Sequence, residues 1–165
     1  MQLSEQRPGG LYRPEFEKDS CGFGLIAHMD GKPSQWVVQT AISSLACLTH
    51  RGAIAADGKT GDGCGLLLQK PDKFLRAVAA DCGFKLAAQF GVGMVFLNTD
   101  AAKAQSARDI LNAEVAKEGL TVAGWREVPT DAAACGEDAL RKLPRIEQLF
   151  VNAPQQVAIE SLERK

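Results

Sequence analysis

Asp19-Ser20-Cys21-Gly22-Phe23-Gly24-Leu25-Ile26-Ala27 is the stretch on which the fold turns. A polar lead dotted with Pro8, Gly9, Gly10 and Pro14 gives way here to small apolar residues that open on a cysteine. The residues allow two readings. In one, a loop enters a buried strand over 22–29 and the thiol is a small core hydrophobe, as free cysteine mostly is. In the other, the Ser20–Cys21 peptide bond is a processing point. Cleavage there makes Cys21 a chain terminus and puts a nucleophilic thiol and a free α-amine on one residue. What lies downstream decides between them.

The totals set wide bounds. At 165 residues the chain is one domain or part of a larger one. With 45% hydrophobic and 24% charged residues it is ordinary for a globular protein. A formal charge of −1 provides no footprint for nucleic acid or an anionic membrane. The lead lacks a signal-peptide core, and no apolar run approaches the ~18 residues needed to span a bilayer, so a cytoplasmic location is expected. Five cysteines, at 21, 47, 64, 82 and 135, form no C-x-x-C pair. That pattern argues against a disulfide framework and against a zinc or cysteine-ligated iron–sulfur site in these residues. His28 and His50 are solitary and read as structural.

Outward from Cys21 the chain alternates turns and apolar segments. Asp30-Gly31-Lys32-Pro33 is a turn, and Ser34 can cap a helix carrying Val38, Ala41, Ile42 and Leu45 on one face. Asp72 can cap a helix with Phe74, Leu75, Val78, Ala79 and Cys82 on one side, stopped by Gly83. The unbroken apolar run Gly91 to Leu97 predicts a strand covered on both faces. Asp100 caps a long helix with Ala104, Ala107, Leu111 and Val115 inward, ended by Gly119. A strand is expected from Leu120 to Val128, a turn or two of helix from Gly136 to Leu143, and a strand from Arg145 to Val151. A last helix starts at Pro154 and carries a Glu160–Arg164 pair, but it meets no stop signal. The expectation is that the chain is the N-terminal piece of a larger domain.

The segment from Thr49 to Gly65 stands apart. Thr49-His50-Arg51-Gly52-Ala53 leads to Ala56-Asp57-Gly58-Lys59-Thr60-Gly61-Asp62-Gly63-Cys64-Gly65, with five glycines in the last fourteen residues. Glycine at this density costs too much entropy for a regular element and marks a backbone that turns sharply or approaches something closely. The segment lies between a patterned helix and the apolar run Leu66-Leu67-Leu68, so an active-site loop is favoured over a flexible surface connection. It is no phosphate-binding loop, because G-x-x-x-x-G-K-[ST] is absent.

Taken in order, Cys21-Gly22-Phe23-Gly24, His50-Arg51-Gly52-Ala53, Ala56-Asp57 and Thr60-Gly61-Asp62-Gly63-Cys64-Gly65 resemble the start of the class II glutamine amidotransferase domain of glutamate synthase large chains. Trp125-Arg126-Glu127-Val128-Pro129 and Pro144 to Val151 are similar to that family's continuation. Cys64 stands where the family commonly has alanine. The resemblance implies an α+β, N-terminal-nucleophile hydrolase fold, a four-layer αββα sandwich, incomplete here. It implies a propeptide over 1–20 and the amidotransferase domain from 21 to 165, with Cys21 as the catalytic nucleophile. Arg51, Gly52, Asp57, Asp62 and Gly63 are implied to bind substrate or to position the nucleophile. The substrate implied is L-glutamine, and the partners are the rest of the large chain and a small subunit. FMN and an iron–sulfur cluster are implied for the full-length enzyme, with no cofactor or metal within these residues. The family's carboxylate-binding arginine belongs to an H-x-R-[YF]-S-T motif and its oxyanion donors to an Asn-Gly pair. Neither occurs here: Asn98, Asn112 and Asn152 are not followed by glycine. Another N-terminal-nucleophile hydrolase, or a non-catalytic piece that docks onto partners, remains open.

The chemistry has its own reason to want this cysteine. Amide hydrolysis needs a nucleophile, a base for it, an acid for the departing ammonia and donors for the oxyanion. A free thiol titrates near ~8.5 and an α-amine near ~7.7–8, so a terminal amine can relay the proton from sulfur to the leaving group. While Ser20 is attached, the same nitrogen is an amide without useful basicity, and the precursor is expected to be inactive.

Overall fold

The computed structural model describes residues 22–48, 54, 56–61 and 63–154. The chain divides into two compact units, Met1–Ala56 with Gly61–Leu66 and Asp57–Thr60 with Leu67–Lys165.

In the first unit, helix α1 spans Gln35–Cys47, and the Trp36 N–H donates to Ser34 Oγ at 3.2 Å, as the sequence predicts. Its apolar face is only half covered: Val38, Ala41 and Leu45 are half-buried, while Ile42 and Trp36 are exposed. The Asp30-Gly31 turn is present, with the Gly31 N–H on the His28 carbonyl at 2.9 Å. His28 Nδ1 accepts from the Asp30 N–H at 3.2 Å, a structural use of that ring. The strand expected over 22–29 is not formed. Residues 22–28 carry no ladder, and Phe23 and Leu25 stand almost fully exposed. A strand's N–H and C=O groups need a neighbouring strand, and none pairs with this segment among the described residues. The same holds for the apolar run Leu66-Leu67-Leu68, which is irregular, with Leu67 98% exposed.

The second unit holds helices α2 (Asp72–Asp81), α3 (Ala101–Lys117) and α4 (Glu137–Lys142) and strands β1 (Phe90–Leu97), β2 (Thr121–Glu127) and β3 (Arg145–Asn152). The three strands form one sheet in the order β1-β3-β2, both outer strands antiparallel to the last one made. β1 and β2 therefore run the same way, joined through α3, and β3 fills the gap left between them, a split β-α-β arrangement.

The two faces of this sheet carry different helices. On one, Phe90, Val92 and Phe150 meet Leu75 and Val78 of α2, with Phe84 and Leu86 packed alongside. The Phe84 and Phe150 rings meet edge-on, with centroids 5.2 Å apart. Phe84 can lie there because Gly124 has no side chain: a Cβ on Gly124 would fall 2.5 Å from its ring. On the other face α3 lies over β1 and β2, burying Ala104 completely and Leu97 and Leu149 nearly so. Trp125 Nε1 donates to Asn112 Oδ1 of α3 at 3.0 Å. Arg76 ties α2 to the chain entering β1, donating to the carbonyls of Leu86, Ala87 and Ala88 at 2.9–3.2 Å.

Two sequence expectations change in this unit. Asp72 is not the cap of α2: Pro71 holds that position, and Asp72 sits in the first turn, accepting from Arg76 Nε at 2.6 Å. The Asp72 carboxylate is one turn from a guanidinium and spends itself there. β1 is not covered on both faces either, since Met94 is 49% and Phe96 66% exposed. It is an outer strand of the sheet, and α2 reaches only the Phe90–Val92 end of that face.

Candidate functional site

Of the residues singled out in the sequence, Asp57 and Gly63 are described, whereas Cys21, Arg51, Gly52 and Asp62 lie outside the described residues. Asp57 belongs to the second unit and Gly63 to the first. Gly63 has φ +88°, a left-handed conformation that an L side chain rarely adopts, so glycine there is a backbone requirement.

Asp57 organises a tight turn. Its Oδ1 accepts from the backbone N–H of Lys59 at 2.9 Å and of Thr60 at 2.8 Å, and its Oδ2 accepts from Thr60 Oγ1 at 2.6 Å. The Thr60 hydroxyl, then the Thr60 and Lys59 amides, hold the carboxyl down from 3.8 to about 2, with the Lys59 charge adding to them. An acid of that strength is fully ionised at neutral pH and is a poor general base, because proton transfer is efficient only near the operating pH. Asp57 is a structural anchor of the loop.

The anchor rests on a distant part of the chain. Lys59 Nζ donates to the Ala133 carbonyl, 74 residues on, at 3.4 Å. A Cβ placed on Gly136 would lie 3.0 Å from Asp57 Cγ and closer still to Asp57 Oδ2 and Thr60 Oγ1. Gly136 precedes α4, and the turn before it is fixed by Asp131, whose Oδ1 accepts from the Ala133 N–H at 3.0 Å. Asp57 and Lys59 face Cys135, Glu137 and Arg141 across a cleft of about 440 Å³. Its lining mixes both signs of charge with a partly buried thiol and includes no histidine. Among the described residues no group of three His, Cys, Asp or Glu side chains gathers to hold a metal ion.

Neither Gly136 nor Lys59 could be placed in this arrangement from the sequence. Gly136 reads as a helix start whatever it touches, and nothing local to it points to Asp57.

Residues 21–165 match the class-II glutamine amidotransferases. The large chain of NADPH glutamate synthase from Bacillus subtilis is 40% identical over 157 residues, covering 94% of this chain and 10% of its own length. Its counterpart from Azospirillum brasilense is 41% identical over 154 residues, covering 92% and 10%. Ferredoxin-dependent glutamate synthase 1 of Arabidopsis thaliana is 38% identical over 153 residues, covering 90% and 9%. The chain thus spans about a tenth of the length of these relatives.

Proposed function

Because the chain belongs to the class-II glutamine amidotransferases, we propose that it supplies the nucleophile of a glutaminase that hydrolyses L-glutamine to glutamate and ammonia through a thioester on Cys21. The observation that carries this reading is the family match itself, which opens at the cysteine that follows the lead.

The steps follow from the groups on that residue. Once residues 1–20 are removed, the α-amine of Cys21 takes the thiol proton as sulfur attacks the glutamine amide carbon. The tetrahedral oxyanion collapses, the C–N bond breaks, and the proton passes from the amine to the departing ammonia. Water, deprotonated by the same amine, then cleaves the thioester to release glutamate and restore the thiol. Asp57 anchors the glycine-rich loop, and Arg51, Gly52, Asp62 and Gly63 of that loop hold the nucleophile's backbone. The oxyanion and carboxylate donors are assigned to parts of the protein beyond this chain.

In the whole protein the ammonia passes to 2-oxoglutarate, a reading supported by the likeness to glutamate synthase large chains. The remainder of a large chain and a small subunit are the partners of that step, and a cytoplasmic location goes with it. FMN and an iron–sulfur cluster belong to other parts of such an enzyme. The described residues do not fit a cluster, and no step here runs through either group. We assign the β1-β3-β2 sheet to one layer pair of a four-layer αββα sandwich. α3 covers one face of the sheet; on the other, α2 reaches only the Phe90–Val92 end, and the exposed Met94 and Phe96 beyond it suit a second sheet.

The test uses the full-length, processed protein. N-terminal sequencing is expected to begin at Cys21, a glutamine-analogue electrophile is expected to label that residue, and Cys21→Ser is expected to lower glutaminase kcat at least about a thousandfold. Full activity in a preparation that still carries residues 1–20, or a mature terminus elsewhere, overturns the proposal. Absence of labelling favours a non-catalytic docking piece instead.

A further inference from the structure

The glycine-rich loop is split between the two units: its middle, Asp57–Thr60, belongs with the sheet unit, while Ala56 and Gly61–Leu66 belong to the other. What fastens that middle to the sheet unit is the backbone around Gly136. Lys59 Nζ reaches the Ala133 carbonyl at 3.4 Å, and the Asp57 carboxylate and Thr60 hydroxyl lie where the Gly136 side chain would be.

We propose that Gly136 is a positioning residue for the nucleophile's loop, its bare Cα being the seat against which the Asp57–Thr60 turn is pressed. The inference rests on the reading of Cys21 as a glutaminase nucleophile. A clash with the tip of a mobile side chain is cheap to relieve, but this one is not. The atoms in the way are the carboxylate and hydroxyl that close the turn on each other at 2.6 Å and on the Lys59 and Thr60 amides at 2.9 and 2.8 Å. To make room for a methyl group the carboxylate must leave its own turn, or the whole turn must lift. Either motion moves the turn, and Arg51, Gly52, Asp62 and Gly63, the residues proposed to hold the nucleophile, stand no more than six residues from Asp57 in the sequence. Gly136 φ is −75°, a value any residue adopts, so the requirement for glycine comes from the neighbour and not from the backbone.

The experiment compares Gly136→Ala, Asp57→Ala and the double variant in the full-length, processed protein. Gly136→Ala is expected to lower glutaminase kcat about tenfold or more, because small misplacements of a reacting group are costly. KM for glutamine should stay within about threefold, since the seat holds the nucleophile's loop and not the substrate. The two substitutions act on one contact, so the double variant is expected to be no worse than the poorer single variant. A Gly136→Ala enzyme with unchanged kcat, a loss confined to KM, or losses that multiply in the double variant overturns the inference. Should the processed wild type hydrolyse no glutamine, the proposed function falls on its own. The seat is then read by hydrogen exchange: Gly136→Ala is expected to speed exchange at the Lys59 and Thr60 amides about tenfold while leaving β3 unchanged. Equal exchange at those amides in the two proteins overturns it.

Discussion

A carboxylate that already accepts three hydrogen bonds has little affinity left for a proton. That is the condition of Asp57, whose two oxygens take the Lys59 and Thr60 amides and the Thr60 hydroxyl. Its folded-state value, about 2, lies below its ordinary 3.8. The sign follows: the turn's stabilisation is fully present above 3.8 and is lost as the pH falls through about 2. The Thr60 amide resonance is therefore expected to titrate with a midpoint near 2 in the folded protein; a midpoint near 3.8 would mean that the turn is not closed in solution. Glu147 is buried where Asp57 is exposed. Its side chain is 3% exposed and takes Arg108 at 2.7 Å and Arg145 at 2.5 Å on the same oxygen. The motif Ala56-Asp57 could be read from the chain as part of an active-site loop. The Arg108–Glu147 pair could not, because a helix residue and a strand residue 39 positions apart share nothing local.

Helices were legible because their signals are short-range. Ser34 and Asp100 stand at the N-caps of α1 and α3 and accept the amides of Trp36 and Lys103. Gly83 follows α2 with φ +84°, a conformation that brings a Cβ against the following carbonyl. Gly83→Ala is expected to cost about 1–2 kcal/mol. Gly91→Ala, in a strand with open space around its Cα, is expected to be neutral or stabilising by a few tenths of a kcal/mol, since glycine is the poorer residue within a strand. Urea midpoints of the two variants distinguish strain from propensity, and equal shifts would contradict the left-handed turn. Strands were less legible. β2 and β3 formed as their patterns predict, but 22–28 and 66–68 carry equally apolar sequences and form none. Their residues specify the ability to pair, and pairing needs a second strand that no local pattern supplies.

At the scale of the molecule the sheet is sheltered unevenly. Phe150, on the central strand β3 and wholly buried, joins α2 to the sheet, whereas Phe96 on the same face near the end of β1 is two-thirds exposed. In this chain Phe150→Ala is expected to cost about 3–5 kcal/mol, and Phe96→Ser to stay within about 0.5 kcal/mol, both from denaturant unfolding. A large loss for Phe96→Ser would show that this face is covered. The split β-α-β order follows from the strand that arrives last. β3 lies between β1 and β2, with Phe150 on the face that meets α2 and the buried Leu149 on the opposite face.

By itself the sequence determined the family and several helix ends, those marked by Ser34, Gly83, Asp100 and Gly119. These rest on residue identity and on contacts within one turn of the chain. Only the tertiary structure decided that Gly136 lies beneath Asp57, that Gly124 yields to Phe84, and which apolar runs become strands. Each of those depends on what stands opposite a residue in space, and the order of residues along a chain does not carry that.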